Sequence, residues 1–272
     1  MSHDVRTPIN GIQGCVDIAD RYPDDLKLQQ EARTKIRTAS GYLLNLVNDV
    51  LDMNKLESGN IQLERKHFNL LEVLHNTNEI IRVQANESGV NYYVEDGEII
   101  HTQLIGSPVH FQQILMNIGS NAVKYNQDGG SVTVSCREVS YTDTTAEYEL
   151  TCTDTGIGMS EEFQKKAFEP FAQEGQSART KYAGTGLGLA IARKLIELQR
   201  GTLFFESIQG KGTKFILHIS FEISAEEQEK KSHMYQNCSV EGVQVLLVED
   251  NELNMEIAEF LLKEEKMIVT KA

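Results

Sequence analysis

The sequence contains no tryptophan, only four prolines and four cysteines, and its aromatic residues make up 7% of 272 positions. Each shortage excludes something. Cys15, Cys136, Cys152 and Cys238 form no CxxC pair, and they are too scattered for a disulfide scaffold or a zinc site. Reduced thiols in a cytoplasmic chain are the expectation. The seven histidines include no HExxH. Basic residues are scarce too: 26 Lys and Arg stand against 40 Asp and Glu, for a net charge of −14. Phosphate backbones need a basic stripe, so no nucleic-acid partner is expected. No apolar run approaches the ~18 residues of a membrane span, and no signal peptide is visible. No membrane contact is therefore expected of this fragment. What the sequence does have is 40% hydrophobic residues, enough for real cores, and a length that predicts roughly two domains. Met1 sits directly against a motif, so an upstream region is expected, through which a parent protein could be membrane-anchored.

Two heptad stripes come first. Val5, Ile9, Ile12, Val16 and Ala19 repeat at spacings of 4 and 3 until Pro23, Asp24 and Asp25 break the pattern. Ile36, Ala39, Leu43, Leu46, Val50 and Met53 repeat the same rhythm to about Glu57, and Leu44, Val47 and Leu51 widen that stripe. Ser58-Gly59-Asn60 ends it. Two helices with stripes this broad cannot bury both faces alone. A homodimer closing a four-helix bundle is expected; the alternative is a hairpin packed on its own C-terminal domain.

From Ile61 to about Phe221 the pattern is mixed α and β. Strands are expected near 61–65, 90–95, 131–139, 146–153, 202–207 and 213–221, and helices near 70–84, 107–125, 160–168 and 186–199. In the last strand, Phe215, Leu217, Ile219 and Phe221 alternate with Ile216, His218 and Ser220. This mixture predicts an α/β sandwich. A charged stretch at 222–241 reads as linker. The expected division is thus 1–60, 61–222, a linker at 223–242, and 243–272. In the last part, Val243-Gln244-Val245-Leu246-Leu247-Val248 looks like a buried parallel strand. An amphipathic helix follows to about Lys263, and a second strand begins near Met267.

Three clusters in 61–222 carry chemistry. His110, Gln113, Asn117, Asn121 and Lys124 share one polar helix face. Such faces are usually just solvated, but amide oxygens can ligate Mg²⁺ and a lysine can neutralise phosphate. Asp154-Thr155-Gly156-Ile157-Gly158-Met159 closes a strand. Its carboxylate could accept from the exocyclic amine of adenine, or could simply cap the helix near Ser160. Gly184-Thr185-Gly186-Leu187-Gly188-Leu189 opens a helix, where backbone N–H groups favour phosphate. A polar segment, not a strand, precedes it, so it is not a dinucleotide fingerprint. It is not a P-loop either, since no Gly-Lys-Ser/Thr is present.

The order is specific. Asn117…Asn121, Asp154-x-Gly156-x-Gly158, Phe168-Glu169-Pro170-Phe171 and Gly184-x-Gly186-x-Gly188 closely resemble the N, G1, F and G2 boxes of the histidine-kinase ATP-binding domain. The resemblance implies ATP and Mg²⁺ as cofactors and a Bergerat-type sandwich with a lid at about 172–185. Asp154 would read adenine and Asn121 would hold the metal. Asn117, Lys124 and Tyr125 would lie near metal and phosphates. Gly184, Thr185, Gly186, Leu187 and Gly188 would line the phosphate side. Members often carry a basic residue just after the F box; here Ala172 and Gln173 stand there, with Arg179 and Lys181 further along the lid. Tyr125-Asn126 replaces the more frequent Phe-Thr.

Ser2-His3-Asp4-Val5-Arg6-Thr7-Pro8, with the heptad hairpin, resembles the H box of the dimerisation and phosphoacceptor domain. His3 would carry the phosphoryl group, Asp4 would act as general base, and Thr7 matches the position that assists dephosphorylation of a partner regulator. Val245 to Asn254 is similar to the opening of a receiver domain, whose acidic pair, here Glu249 and Asp250, binds Mg²⁺. Kinase, linker and receiver in this order imply a hybrid two-component histidine kinase that relays phosphate to an aspartate. Two alternatives remain open. One is an ATPase of the same fold, which would need a Glu where Asn117 stands. The other is a degenerate kinase acting as a scaffold.

Overall fold

The computed structural model describes residues 2–59, 61–174, 185–224, 242–248, 252–264 and 266–271, without the side chains of 2–4, 252–254 and 257. It divides into two compact units, residues 1–225 and 226–272.

The first unit begins with the hairpin of α1 (Ser2–Arg21) and α2 (Leu26–Glu57). Asp25 starts α2 by accepting the Lys27 and Leu28 amides at 3.1 and 3.0 Å, which satisfies donors that the first turn leaves open. Gln29 donates to the Ala19 and Tyr22 carbonyls and ties the turn shut. The apolar stripe of α2 is then shared. Met53 and Leu56 enter the core of the α/β layer, whereas Leu44, Val47 and Leu51 stay exposed at 62, 43 and 50%.

Seven strands form one sheet: β1 (Lys66–Asn69), β2 (Asn91–Glu95), β3 (Gln103–Gly106), β4 (Ser131–Tyr141), β5 (Thr145–Asp154), β6 (Thr202–Ile208) and β7 (Gly212–Ile223). Their order is β1-β3-β7-β5-β4-β2, with β6 also on β7. All pairings are antiparallel except β2–β4. Helices α3 (Leu70–Glu87), α4 (Pro108–Lys124) and α6 (Gly188–Leu198), with the short α5 (Glu161–Gln164), complete the unit. The alternation expected in β7 is present: Phe215, Leu217, Ile219 and Phe221 are buried. They meet Phe111 and Ile114 of α4 and Ile191 and Leu195 of α6 in one continuous core. The hairpin followed by an α/β sandwich is the architecture read from the sequence.

Two expectations need correction. The strand placed at 61–65 lies at 66–69, because it pairs with β3 and runs straight into α3, which Asn69 caps through the Leu71 and Glu72 amides. The helix placed at 160–168 stops at Gln164. Beyond it the chain turns so that Phe168 packs between Phe205 (5.4 Å) and the Arg193 guanidinium (4.8 Å).

In the second unit, β8 (Gln244–Leu247) and β9 (Ile268–Lys271) pair in parallel, joined by α7 (Glu252–Glu264). Leu246, Phe260, Leu261 and Ile268 are more than half exposed. Glu249 and Asp250 lie outside the described residues. Among the described residues, no helix is long and apolar enough to cross a membrane.

Candidate functional site

Helix α4 builds one wall of a cleft. Phe111, Ile114, Ile118, Ala122 and Val123 are buried, so the opposite face must look outward. Gln113, Asn117, Asn121 and Lys124 from that face line a cleft of about 600 Å³, with Tyr125 just beyond the helix end. His110, expected on the same face, turns instead to Ser107, 2.7 Å away.

At one end of the cleft stands Asp154, the last residue of β5 and 7% exposed. Its Oδ1 accepts the Gly156 amide (2.8 Å) and the Thr213 amide (3.3 Å). Asp154 does not cap the helix near Ser160; Ser160 caps that helix itself, accepting the Phe163 amide. The loop after Asp154 is pinned to its neighbours. The Ile157 amide donates to the Tyr125 carbonyl and the Gly210 amide to the Ile157 carbonyl. Gly158, at φ +61°, passes so close to β6 that a Cβ would lie 2.1 Å from the Ile208 carbonyl oxygen.

The other end is made by 185–188. Leu187 is fully buried and anchors the segment. Gly186, at φ +71°, accepts the Phe171 amide (2.9 Å), so the F box and the glycine-rich turn meet directly. Gly188 opens α6 beside Asn117. The Asn117 Nδ2 is buried and has no hydrogen-bond partner among the described residues. A bare buried donor is costly unless a ligand satisfies it, so the cleft fits a group rich in acceptor oxygens. Asn117 and Asn121 also provide amide oxygens suited to Mg²⁺, which keeps several waters and phosphate oxygens in its shell. Gly184, Arg179 and Lys181 lie outside the described residues, as do the side chains of His3 and Asp4. Thr7 is exposed on α1.

Burial sets the charges. It pushes the Asp154 carboxyl up to about 6, against the pull of the two amides. It lowers the Lys124 ammonium to about 8, with Asp49 pulling the other way. Lys124 also lies 4.7 Å from the Tyr125 ring centroid. In the roles expected from the sequence, Asp154 would have to be ionised to accept from an adenine amine and Lys124 charged to meet phosphate. Nucleotide affinity should therefore fall below about pH 6 and again above about pH 8. Fluorescence titration with ATP from pH 5 to 9 checks this; equal affinity at pH 5 and 7 would count against Asp154.

One wall went unforeseen. Tyr42, Asn45, Asn48, Asp49 and Asp52 of α2 line the same cleft. Asp49 accepts the Thr185 hydroxyl and Asp52 the Gln113 amide, each at 2.7 Å. Asp49 and Asp52 sit three apart on the polar side of a heptad helix, where carboxylates are ordinarily solvated. Only the packing of α2 against the sandwich reveals them.

Comparison with known proteins agrees with this geometry. Residues 1–59 match the His Kinase A (phospho-acceptor) domain, and residues 106–223 match the Histidine kinase-, DNA gyrase B-, and HSP90-like ATPase family. The chain is similar to the autoinducer 2 sensor kinase/phosphatase LuxQ of Vibrio vulnificus, 32% identical over 97% of this chain and 30% of that protein. It is also similar to the signal transduction histidine-protein kinase BarA of Escherichia coli, 30% identical over 82% of this chain and 24% of that one. The chain thus spans less than a third of the relatives it matches. In fold it resembles full-length ShkA, solved in complex with AMPPNP: TM-score 0.60, 24% identity, all of this chain and 54% of that one. It also resembles the Acinetobacter baumannii kinase AdeS: TM-score 0.58, 21% identity, 82% of this chain and 98% of that one. On this one chain a match to the phospho-acceptor domain is thus followed, in order, by a match to this ATPase family, and over most of its length the chain is similar to histidine kinases.

Proposed function

We propose that the chain binds ATP in the cleft and transfers the γ-phosphoryl group to His3, for relay to an aspartate of a receiver domain. The observation that carries this reading is the convergence in one cleft of an adenine-type acceptor, Asp154, with Lys124, Asn121 and the Asn117 amide, which has no hydrogen-bond partner among the described residues. Asp154 orients the base. Lys124 and the backbone N–H groups at the start of α6 draw charge from the phosphates. Bound Mg²⁺, held through Asn121 with Asn117 beside it, would offset the remaining phosphate charge. A ring nitrogen of His3 forms the new bond to the γ-phosphorus while the bond to the β–γ bridging oxygen breaks. ADP leaves, and Asp4 takes the imidazole proton. Positioning supplies most of the rate, since the protein contributes little covalent chemistry of its own. Thr7, one turn beyond His3, would serve the reverse task of removing phosphate from the regulator. Incubation with γ-labelled ATP and Mg²⁺ should give a protein-bound label that is stable in alkali and lost in acid, and absent in Asn121→Ala. Release of free phosphate without bound label would favour an ATPase instead.

In this reading residues 1–60 are the phosphoacceptor domain, 61–222 the catalytic domain and 223–242 a linker. Residues 243–272 open a receiver domain whose Mg²⁺ pair would be Glu249 and Asp250. The parallel β8–α7–β9 unit supports the last assignment. We also assign a homodimer through the hairpin, supported by the exposed stripe of Leu44, Val47 and Leu51. Burying the half or so of each side chain still exposed is worth on the order of 1 kcal/mol apiece. Leu44→Glu with Leu51→Glu should therefore yield monomers in analytical ultracentrifugation with the sandwich still folded. Dimers of unchanged affinity would place the interface elsewhere.

A further inference from the structure

The α2 wall of the cleft is negatively charged. Asp49 and Asp52 face its interior, bound to Thr185 and Gln113 at 2.7 Å each. Among the described residues lining the cleft, Lys124 is the one Lys or Arg. Thr185 leads into the start of α6, so Asp49 stands at the end where phosphates are expected. Both carboxylates are partly buried, which leaves them less screened than surface charges. Burial has already pushed the Asp49 carboxyl above its usual range, with Asp52 adding to the shift. A triphosphate differs from a diphosphate by about one negative charge, placed at this same end.

Resting on the reading of the cleft as a nucleotide site, we propose that Asp49 and Asp52 make α2 a sensor of the γ-phosphate. With α2 seated on Thr185 and Gln113, the cleft favours a diphosphate. A triphosphate repels the two carboxylates and drives α2 off these contacts. The coupling is reciprocal: whatever weakens triphosphate binding while α2 is seated also means that triphosphate unseats α2. Product ADP then lets the helix return. The two residues position the hairpin and take no part in the chemistry.

The test compares two probes on the full chain with Mg²⁺, by calorimetric titration: ADP and the β,γ-imido analogue of ATP. Asn is nearly isosteric with Asp and can still accept from Thr185 and Gln113, so Asp49→Asn with Asp52→Asn removes charge while keeping shape. The analogue should bind the double variant about ten-fold more tightly than wild type, within the usual range of coupling between sites. ADP should change by less than about two-fold. If the double variant does not fold, each single variant should show about a three-fold change in the same ratio. An unmoved ratio with both probes still binding would overturn the proposal. So would weaker analogue binding, which would mark the carboxylates as metal ligands. Failure of wild type to bind either probe would overturn the nucleotide reading itself, and the inference with it.

Discussion

Asp154→Asn should cost about 100-fold or more in ATP affinity and yet make the protein more stable at pH 7.5. The loss of affinity follows from chemistry. A carboxylate offers only acceptors to the adenine amine, whereas an amide can present a donor to a donor. A charge-assisted hydrogen bond is replaced by a mismatch in a buried place, and sites built around such a bond discriminate strongly. The gain in stability follows from burial. The folded state raises this carboxyl from 3.8 to about 6. Its contribution to stability is therefore fully present below the unfolded value and lost as the pH rises through about 6. At neutral pH the ionised group costs the fold on the order of 1–3 kcal/mol. Asn keeps an oxygen for the Gly156 and Thr213 amides but carries no charge. A rise in melting temperature of about 2–6 °C is expected at pH 7.5, vanishing near pH 4, where wild-type Asp154 is protonated. Calorimetry at both values separates this from a change in packing: a gain that persists at pH 4 would not come from the charge.

Gly158→Ala should be among the most damaging single-methyl changes available in this chain. Its φ of +61° strains any L side chain, and the new Cβ would sit 2.1 Å from the Ile208 carbonyl oxygen and 2.7 Å from the carbon. That carbonyl cannot retreat easily, since Ile208 pairs with Gly212 and the Gly210 amide holds the Ile157 carbonyl at 2.7 Å. Left-handed strain of about 1–2 kcal/mol and an overpacking penalty of about 1–3 kcal/mol act together. Gly210→Ala is the natural control. Its φ is +79°, but nothing lies within 4 Å of the added methyl, so it bears the strain alone. Urea denaturation should show Gly158→Ala losing clearly more stability than Gly210→Ala. Equal losses would mean that the contact with Ile208 relaxes freely.

Much of this was legible beforehand, for reasons that can be named. The heptad rhythm marked α1 and α2 because 3.6-residue periodicity survives over many turns. The alternation of Phe215, Leu217, Ile219 and Phe221 marked β7 because twelve residues display period two clearly. β3, with four residues, offered too short a pattern and was missed. It also carried off the strand before it, since β1 takes its place from pairing with β3. Asp154, Asn117, Asn121 and Lys124 were marked by the order of the boxes they resemble, since each cluster alone reads as readily as a solvated face or a turn; the structure brings the four into one cleft. Asp49 and Asp52 were not so marked. An aspartate on the polar side of an amphipathic helix looks solvated until a second layer packs over it, and local sequence carries no signal of that packing. The sharing of Met53 and Leu56 with the α/β core was hidden for the same reason: a stripe shows that a face is buried, not against what.

The central claim is that the phosphoryl group leaves ATP in this cleft and arrives at His3. The most direct measurement is labelling by γ-labelled ATP and Mg²⁺ in wild type and His3→Gln, with nucleotide affinity measured on the same samples. Wild type should carry an acid-labile label and His3→Gln none, with ATP affinities within about two-fold of each other, because the described lining of the cleft comes largely from α2, α4, β5 and the start of α6. Label that persists on His3→Gln at the wild-type level would contradict the claim.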